Sequence, residues 1–474
     1  MFKYKAKIIL PFFLVVVMFC FCGCAKHYYR SKPITDKMAN HGLRITDPNV
    51  GGDNDDLFLF LAFSGGGTRA AAFSYGVLEA LRDTPITLGD GQKVRLLDEV
   101  DAITSVSGGS FTSAYYGLYG DRIFEDFESK FLKKNVEGML KRRIFSPWYW
   151  LKYLNPYYGS SEMAAEVYDK ILFNNKKIGD FKKTRGPLIA IQATDIDIAQ
   201  QFAFSPLDFQ PICADLLDFP VSRAVVASSA VPVLFSSVII ENQAGACDYE
   251  LPQWVHDELK KEDKTSRNYW EAKKIYSYTE REKRPYIHLL DGGLADNLGV
   301  RTVMERIFSG GEVIASLKEL SMIDSRKIAA IIVNAEMTPS TGSTKSSKSI
   351  SFMDAVFVGT GIPISRYNFE TVNYMKSNFK LWKEELIKYN CPKQAEKILD
   401  GRLKQSETDC HDIDTYLIYM DFNLIDDEAE SEFLHAVPTS FVLSDEEVDR
   451  LRAAAKKILN TSPEFKRLVE DLNK

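Results

Sequence analysis

The sequence predicts an α/β fold in which a mainly parallel sheet is flanked by helices on both faces. Short apolar runs recur along the chain and alternate with stretches of helical periodicity, as expected of strands that are buried on both sides. Hydrophobic residues make up 45% of the 474 positions, enough for a large core. The predicted strands cover residues 57–63, 100–107, 186–196, 285–291 and 327–336.

Two predicted helices directly follow strands. In residues 69–82, four apolar side chains at helical spacing form one face: Ala70, Phe73, Val77 and Leu81. A second helix is predicted over residues 109–120. Near the end of the chain, Ser444 begins a capping-box pattern, and Pro463 occupies the first turn of a last helix.

The first 24 residues are predicted to be a lipoprotein-type signal peptide. Three lysines precede an apolar run from Ile8 to Cys22, which is typical of a secretory signal and short for a spanning helix. Residues 21–24 resemble the lipobox of bacterial lipoproteins. This resemblance implies that Cys24 is lipidated and becomes the mature N-terminus, and that Ala25 directs the protein to the outer membrane. A plain cleaved signal and an uncleaved anchor are the alternatives, and all three export the chain.

The rest of the chain is predicted to have four parts. Residues 25–56 form a tether, 57–336 a sheet domain, 337–351 a linker rich in serine and threonine, and 352–474 a mostly helical extension. We expect the extension to pack on the sheet domain without chemistry of its own.

Charge and cysteine content limit the partners. The net charge of −6 gives little support to nucleic-acid binding. In an oxidising compartment, Cys213 with Cys247 and Cys391 with Cys410 are the local disulfide pairings, although four cysteines allow three connectivities and free thiols are a further alternative. The cysteines and histidines lack metal-ligand spacing, so neither a metal nor a cofactor is predicted.

Residues 63–70 form a glycine-rich turn between the first strand and the first helix. Successive glycines let several backbone N–H groups point at one place, and the helix start adds positive potential. Such a turn suits a phosphate or the oxyanion of acyl transfer. A P-loop would need Lys-Ser/Thr after the glycines, and a dinucleotide site would need spaced glycines, so both are excluded.

Residues 103–111, Ile-Thr-Ser-Val-Ser-Gly-Gly-Ser-Phe, nearly match the nucleophile elbow G-x-S-x-G. In that motif a serine at a sharp strand-to-helix turn exposes its hydroxyl, and the next N–H helps to hold an oxyanion. Ser107 is the candidate nucleophile, Gly108 leaves room for an acyl group, and Gly109 lets helix and strand pack closely. Ser105 replaces the first glycine but is still small. The alternative is a helix start capped by Ser107.

Asp291 ends the predicted strand 285–291 and is followed by two glycines. At a carboxyl strand end, it is expected on the sheet edge where open α/β sheets bind ligands, which is also the edge that carries the elbow. The alternative is an ordinary Asp-Gly turn.

Taken together and in this order, residues 64–69, 105–109 and 291–293 resemble the patatin-like phospholipases, especially exported bacterial members. The pattern of that family is a glycine-rich oxyanion loop, then G-x-S-x-G, then Asp-Gly-Gly/Ala. Residues 193–204 and 223–235 are also similar to family segments. The resemblance covers about residues 57–336 and implies a three-layer α/β/α catalytic domain there.

The resemblance further implies a Ser–Asp dyad without histidine. Asp291 would take the proton from Ser107 as general base, an acyl-enzyme would form, and a water activated by Asp291 would release it. Arg69 would hold the glycine loop or contact a lipid phosphate, and the loop role is favoured. The oxyanion would be held by four backbone N–H groups: those of Gly65, Gly66, Gly67 and Gly108.

Histidines offer one competing mechanism. A triad of the α/β-hydrolase type would need a histidine after the acid, which leaves His411 and His435. Both lie in the helical extension, without a strand end or glycines beside them, so we expect them to be structural. His288 lies three residues before Asp291 on the same strand, points to the opposite face, and is expected to pack in the sheet.

Residues 132–159 combine basic and aromatic side chains: Lys133, Lys134, Lys141, Arg142, Arg143, Trp148, Tyr149, Trp150 and Tyr153. This mixture suits a membrane interface, where the segment would form one wall of the acyl-chain entrance. It equally suits an aromatic insertion packed over the sheet.

The sequence therefore predicts a lipid acyl hydrolase that cleaves ester bonds of membrane phospholipid or lysophospholipid. We expect it to be anchored to the cell envelope, facing the periplasm or the cell surface. Other acyl esters, and acyl transfer to an acceptor other than water, stay open. The alternative from another class is a catalytically inactive lipid-binding or envelope-scaffold lipoprotein, against which the three intact site motifs argue.

Overall fold

The computed structural model of the chain confirms a mainly parallel sheet flanked by helices, with a largely helical C-terminal region. Its described part contains one eight-stranded sheet and a separate two-stranded one. The structure describes residues 29–34, 52, 56–89, 91–153, 155, 158–183, 185–232, 234–308, 325–337, 352–408 and 413–474.

All five predicted strands are present. The strands are β1 (Leu57–Phe63), β2 (Pro85–Thr87), β3 (Lys93–Arg95), β4 (Val100–Val106), β5 (Leu188–Asp195), β6 (Gln200–Ala203), β7 (Val238–Glu241), β8 (Tyr286–Asp291), β9 (Lys327–Val333) and β10 (Asp414–Met420). The main sheet has the order β10-β9-β1-β4-β5-β8-β7, and β6 pairs with β5. The run from β10 to β5 is parallel, whereas β6 and β8 are antiparallel to β5 and β7 is antiparallel to β8.

Helices connect and cover these strands. They are α1 (Gly67–Arg82), α2 (Gly108–Tyr119), α3 (Val136–Ile144), α4 (Pro147–Tyr153), α5 (Ser160–Tyr168), α6 (Pro206–Phe209), α7 (Val221–Ser229), α8 (Gln253–Lys261), α9 (Arg267–Thr279), α10 (Gly293–Asp296), α11 (Arg301–Phe308), α12 (Phe352–Asn390), α13 (Ala395–Leu399), α14 (Glu428–Ala436), α15 (Asp445–Thr461) and α16 (Pro463–Leu472). None of those in the described residues is long and apolar enough to cross a bilayer.

The first strand shows why its sequence is continuously apolar. Leu59 and Leu61 belong to one buried cluster, on the side of the sheet that α1 and α2 cover. Phe58 and Phe60 belong to a second cluster on the other side, which includes Trp382 of α12. Because successive side chains of a strand alternate between the two faces, both cores need apolar residues from β1.

The C-terminal extension does more than pack on the sheet, because it supplies the edge strand β10. This strand pairs in parallel with β9, from Asp414 opposite Lys327 to Met420 opposite Val333. The predicted capping box at Ser444 is present and starts α15, which packs closely on α1. The sheet therefore does not end with residue 336, and the predicted sheet domain of residues 57–336 lacks its outermost strand.

Part of the predicted tether also belongs to the fold. Tyr29 donates its N–H to Ile239 O at 2.7 Å, and Ser31 Oγ donates to Glu241 O, also at 2.7 Å, so residues 29–31 lie along β7. Ile34 donates its N–H to Cys213 O at 3.0 Å. Of the alternatives that the sequence left open for these cysteines, Cys213 and Cys247 form a disulfide, with a Cα–Cα distance of 5.5 Å. The signal peptide with Cys24, residues 338–351 of the linker and Cys410 lie outside the described residues.

Candidate active site

Ser107 occupies a sharp turn between β4 and α2. Its φ of 49° and ψ of −116° lie in a region that costs a non-glycine residue about 1–3 kcal/mol. The side chain makes no capping hydrogen bond, so the alternative that Ser107 only caps α2 is wrong. The turn is fixed from behind, because the Ser107 N–H donates to Ser228 Oγ at 2.8 Å. A strained serine between strand and helix is the geometry of a nucleophile elbow.

Ser107 and Asp291 are in direct contact. Ser107 Oγ donates to Asp291 Oδ2 at 2.9 Å, and the Gly293 N–H donates to Asp291 Oδ1 at 2.8 Å. Both carboxylate oxygens are thus held in place. Burial raises the pKa of Asp291 to about 6. At neutral pH this carboxylate is ionised and more basic than an ordinary aspartate, which suits a general base.

The route that brings Asp291 to the elbow differs from the predicted one. β8 is antiparallel to β5, so its carboxyl end does not coincide with those of the parallel strands. β5 extends three residues beyond the point where Val106 pairs with Gln192, and β8 pairs with this extension, Asp291 lying opposite Ala193. The strand therefore starts beyond the sheet edge and runs back to end beside Ser107.

The glycine loop lies against the elbow. A Cβ built on Gly108 would lie 2.0 Å from Gly67 O, so no other residue fits at position 108 while the loop keeps its path. Gly66 and Gly67 have φ of 141° and 61°, conformations that L side chains rarely adopt. The start of α1 thus reaches the turn that carries Ser107.

Within the described residues, three of the four predicted oxyanion donors have free N–H groups, and one does not. The Gly65 N–H donates to Asn297 O at 3.0 Å, so its prediction as an oxyanion donor is wrong. For the N–H groups of Gly66, Gly67 and Gly108, the described part of the chain offers no hydrogen-bond acceptor. Gly67 and Gly108 are also the first residues of α1 and α2, where helix N–H groups lack an intrahelical partner and carry positive potential.

Arg69 holds the glycine loop to two distant parts of the chain. Its Nε donates to Ala335 O at 2.8 Å, Nη1 to Val437 O at 2.5 Å and Nη2 to Thr439 Oγ1 at 3.1 Å. The side chain is buried, and burial lowers its pKa to about 9. Because the side chain is buried and each guanidinium nitrogen donates within the protein, this geometry fits the loop role better than contact with a lipid phosphate.

Two residues of the site were missed at the sequence level. Ser228 accepts from the Ser107 N–H and donates to Gln192 O at 2.6 Å. It lies in the alanine- and serine-rich segment 223–235, which drew attention only by resemblance. Asn297 lies between the two loops: a Cβ on Gly65 would be 2.5 Å, and one on Gly293 3.0 Å, from its Oδ1. Its position six residues after Asp291 carries no signal on its own.

Ser105 is accommodated by a partner on α2. It is fully buried, and its Oγ accepts from Ser113 Oγ at 2.6 Å. The buried Ser105 hydroxyl therefore has a hydrogen-bond partner. This explains how serine can replace the first glycine of the elbow motif.

No histidine contacts the dyad within the described residues. His288 Nδ1 lies 3.0 Å from Asp197 Oδ2, and its side chain is 37% exposed rather than packed. His435 Nε2 lies 3.2 Å from Asn423 Oδ1. His435 also lines a cavity of about 340 Å³ beyond the ends of β9 and β10, whose lining does not include Ser107 or Asp291. His411 lies outside the described residues.

One family model matches the chain in sequence. A model of the family described as patatin-like phospholipase matches residues 61–304. This range begins within β1 and ends within α11, so it contains the glycine loop, the elbow and Asp291. No curated protein matches the chain in sequence.

Solved structures of one human enzyme resemble the chain at low identity. Human GIVD cytosolic phospholipase A2 is 12% identical with a TM-score of 0.46, over 88% of this chain and 62% of that one. The same enzyme in complex with methyl gamma-linolenyl fluorophosphonate is 13% identical with a TM-score of 0.40, over 88% and 59%. The chain thus spans about three fifths of the length of these structures.

Proposed function

The chain belongs to the patatin-like phospholipase family, and from this premise we propose that it is a lipid acyl hydrolase that cleaves carboxylic ester bonds of phospholipid or lysophospholipid. The observation that carries the proposal is the 2.9 Å hydrogen bond from Ser107 Oγ to Asp291 Oδ2 at a strained turn. A buried hydroxyl and a buried carboxylate have little reason to be held at such a turn unless the pair reacts.

In the first half of the proposed reaction, Ser107 Oγ attacks the ester carbonyl carbon while its proton passes to Asp291 Oδ2. The carbonyl oxygen becomes an oxyanion, and the N–H groups of Gly66, Gly67 and Gly108 are the donors available to stabilise it. Asp291 then gives the proton to the departing alcohol oxygen as the C–O bond breaks. This leaves an acyl group on Ser107 and the carboxylate ionised again.

In the second half, water replaces the alcohol. Asp291 removes a proton from the water, whose oxygen attacks the acyl carbon. The tetrahedral intermediate collapses, the proton returns to Ser107 Oγ and the fatty acid leaves. The raised pKa of Asp291, about 6, helps both steps, because a more basic carboxylate is a better proton acceptor and is still ionised at pH 7.

Covalent labelling tests this proposal. A fluorophosphonate probe should label the wild-type protein and fail to label Ser107→Ala. The control is Ser129→Ala, which removes an exposed hydroxyl bound only to Asp126 O and should label like the wild type. Absence of label on wild-type protein that is folded by circular dichroism would favour the inactive lipid-binding lipoprotein instead.

We also propose that the protein is exported and anchored to the cell envelope through lipid on Cys24, facing the periplasm or the cell surface. The signal and lipobox pattern supports this, and the disulfide Cys213–Cys247 fits an oxidising compartment. Growth with labelled palmitate should label the wild-type protein and not Cys24→Ala. Equal labelling of the two would contradict lipidation at Cys24.

A further inference from the structure

Three strongly exposed large apolar side chains lie close together in the chain, in α4 and just before it. Trp148 is 79% exposed, Phe145 75% and Leu151 60%. Trp148 and Leu151 are three residues apart and lie on one side of α4, and Phe145 lies at the end of α3, just before it. Large apolar side chains that are exposed close together leave apolar surface in contact with water, and such groups often mark binding surfaces. We call Phe145, Trp148 and Leu151 the apolar row.

The segment that carries the row is firmly attached to the protein. Tyr149 and Tyr153, between and after the row residues, pack against the main hydrophobic cluster. Arg143 and Lys152 both lie near the Tyr149 ring, at 5.0 Å and 5.2 Å from its centroid. Both also pair with Glu166 of α5, at 3.3 Å and 2.8 Å. The exposed row therefore belongs to a segment that is held in place by these contacts.

Basic side chains border the row. Lys141 and Arg142 precede it in α3, and Lys152 follows its last residue; all three are exposed. Arg142 has no acidic partner among the described residues. Aromatic side chains at headgroup depth with lysine and arginine around them are the composition of proteins that lie on bilayers containing anionic lipid.

The segment that carries the row is tied at its first end to the glycine loop. Ser440 Oγ donates to Glu137 Oε2 at 2.8 Å, and Glu137 is in the first turn of α3. Ser440 O in turn accepts the Thr68 N–H at 2.9 Å. One residue, Ser440, thus joins α3 to the start of α1.

The other end is tied to the stretch of chain that follows α7. The Ser161 N–H donates to Ser236 Oγ at 3.3 Å, and the Ser236 N–H donates to Ser160 Oγ at 2.8 Å. Ser236 lies eight residues after Ser228, which holds the Ser107 N–H. Leu234 on this connecting stretch is 51% exposed and adds a further apolar side chain at the surface.

We propose that the apolar row, with Lys141, Arg142 and Lys152 around it, docks on a lipid bilayer that contains anionic headgroups. The row inserts into the headgroup region while the basic side chains contact lipid phosphates. The proposal rests on the proposed function for its purpose, since the bilayer that is bound supplies the ester. Of the two interpretations that the sequence left open for residues 132–159, the inner aromatics fit the packed insertion, and the row fits the membrane interface.

Fluorescence quenching tests docking independently of catalysis and of any lipid anchor. The full chain is reconstituted in vesicles of equal parts phosphatidylcholine and phosphatidylglycerol whose acyl chains carry bromine, which quenches tryptophan only at close range. Trp148→Phe should lose most of the quenching. The matched control Trp270→Phe removes a half-exposed tryptophan of α9 and should keep it. Equal quenching in wild type and Trp148→Phe would overturn the proposal.

Hydrolysis gives the second readout. In the triple variant Phe145→Ser/Trp148→Ser/Leu151→Ser, the ratio of vesicle hydrolysis to hydrolysis of a soluble short-chain ester should fall about tenfold or more. Phe369→Ser, which removes a 64% exposed aromatic of α12, should leave the ratio unchanged. An unchanged ratio in the triple variant would overturn the proposal. So would a triple variant that differs from the wild type only in that it no longer self-associates. If wild type hydrolyses neither ester while Trp148 is quenched, the proposed function fails and the docking surface stands.

Discussion

Two regions of the molecule depart from the usual rule of burial in opposite directions. Around the elbow, polar and charged side chains are buried: Ser107 is 6% exposed, Asp291 9% and Arg69 2%. In the apolar row, large hydrophobic side chains are exposed instead, up to 79% for Trp148. Each arrangement costs stability, the first through lost hydration and the second through apolar surface left in water.

The two regions differ in which interactions offset this loss of stability. Around the elbow these interactions are internal, because Asp291 accepts two hydrogen bonds and Arg69 donates three within the protein. The apolar row has no such partner in the described chain, and a bilayer would supply it. Changes around the elbow should therefore reduce hydrolysis of every ester equally, whereas changes in the row should affect vesicles alone. The ratio of vesicle to soluble-ester hydrolysis measures this difference.

The largest effect is expected for Asp291→Asn. The amide cannot accept the proton of Ser107, so kcat should fall on the order of 10³-fold for both esters, with their ratio unchanged. In the wild type, kcat/KM should fall as the pH drops below about 6, because protonation removes the base. Residual activity within tenfold of wild type would contradict the dyad while leaving Ser107 as the nucleophile.

The same substitution should stabilise the fold at high pH. The pKa of Asp291 is raised by burial from 3.8 to about 6, so stability from this group is fully present below about pH 4 and is lost as the pH rises through 6. The amide of the variant carries no charge at any of these pH values, and urea unfolding at pH 8 should show Asp291→Asn more stable by up to about 3 kcal/mol. At pH 4 the two proteins should unfold alike.

Local sequence was sufficient to predict the elbow and the position of Asp291 in the chain. A buried strand followed by Ser-Gly-Gly has few conformations open to it, and β4, Ser107 and α2 follow that pattern. The direction of β8 was not predictable, because its apolar run fits a strand of either orientation. β8 pairs with the last three residues of β5, which extend beyond the end of β4.

Contacts between distant parts of the chain could not be predicted from the sequence. Gly65 has the residue type of an oxyanion donor, yet its N–H is taken by Asn297 O, 232 positions later. Ser440 and Val437 reach the glycine loop from the C-terminal extension, for which no chemistry was expected. Hydrogen bonds of this kind depend on tertiary packing and leave no periodic or spacing signal.

A smaller effect is expected for Arg69→Lys. An ammonium on a flexible stem cannot reproduce the three directed hydrogen bonds, so Ala335 O and Val437 O would lose buried donors. The free energy of unfolding should fall by about 2–4 kcal/mol. Displacement of the loop should lower kcat by about 10- to 100-fold on both esters, less than the roughly 10²- to 10³-fold that complete loss of one oxyanion donor costs.

Arg82→Lys is the matched control for this prediction. Arg82 ends the same helix, is paired with Asp83 at the surface, and should change neither stability nor kcat. If Arg69→Lys lowered hydrolysis of vesicles but not of the soluble ester, the Arg69 guanidinium of the wild type would act on lipid. The assignment of Arg69 to the glycine loop would then be wrong.

The smallest effect is expected for Ser105→Gly, which restores the usual elbow sequence. Ser113 would lose Ser105 Oγ as acceptor but still has Ser110 O at 3.3 Å, so no buried donor is stranded. Glycine within β4 should cost about 0.5–1 kcal/mol in backbone entropy, which chemical denaturation would detect. Because only small size is needed two residues before the nucleophile, kcat should stay within about twofold for both esters. Ser105→Val, which exceeds that size, should lose activity. A tenfold loss in Ser105→Gly with the fold intact would instead mean that the Ser105–Ser113 hydrogen bond orients Ser107.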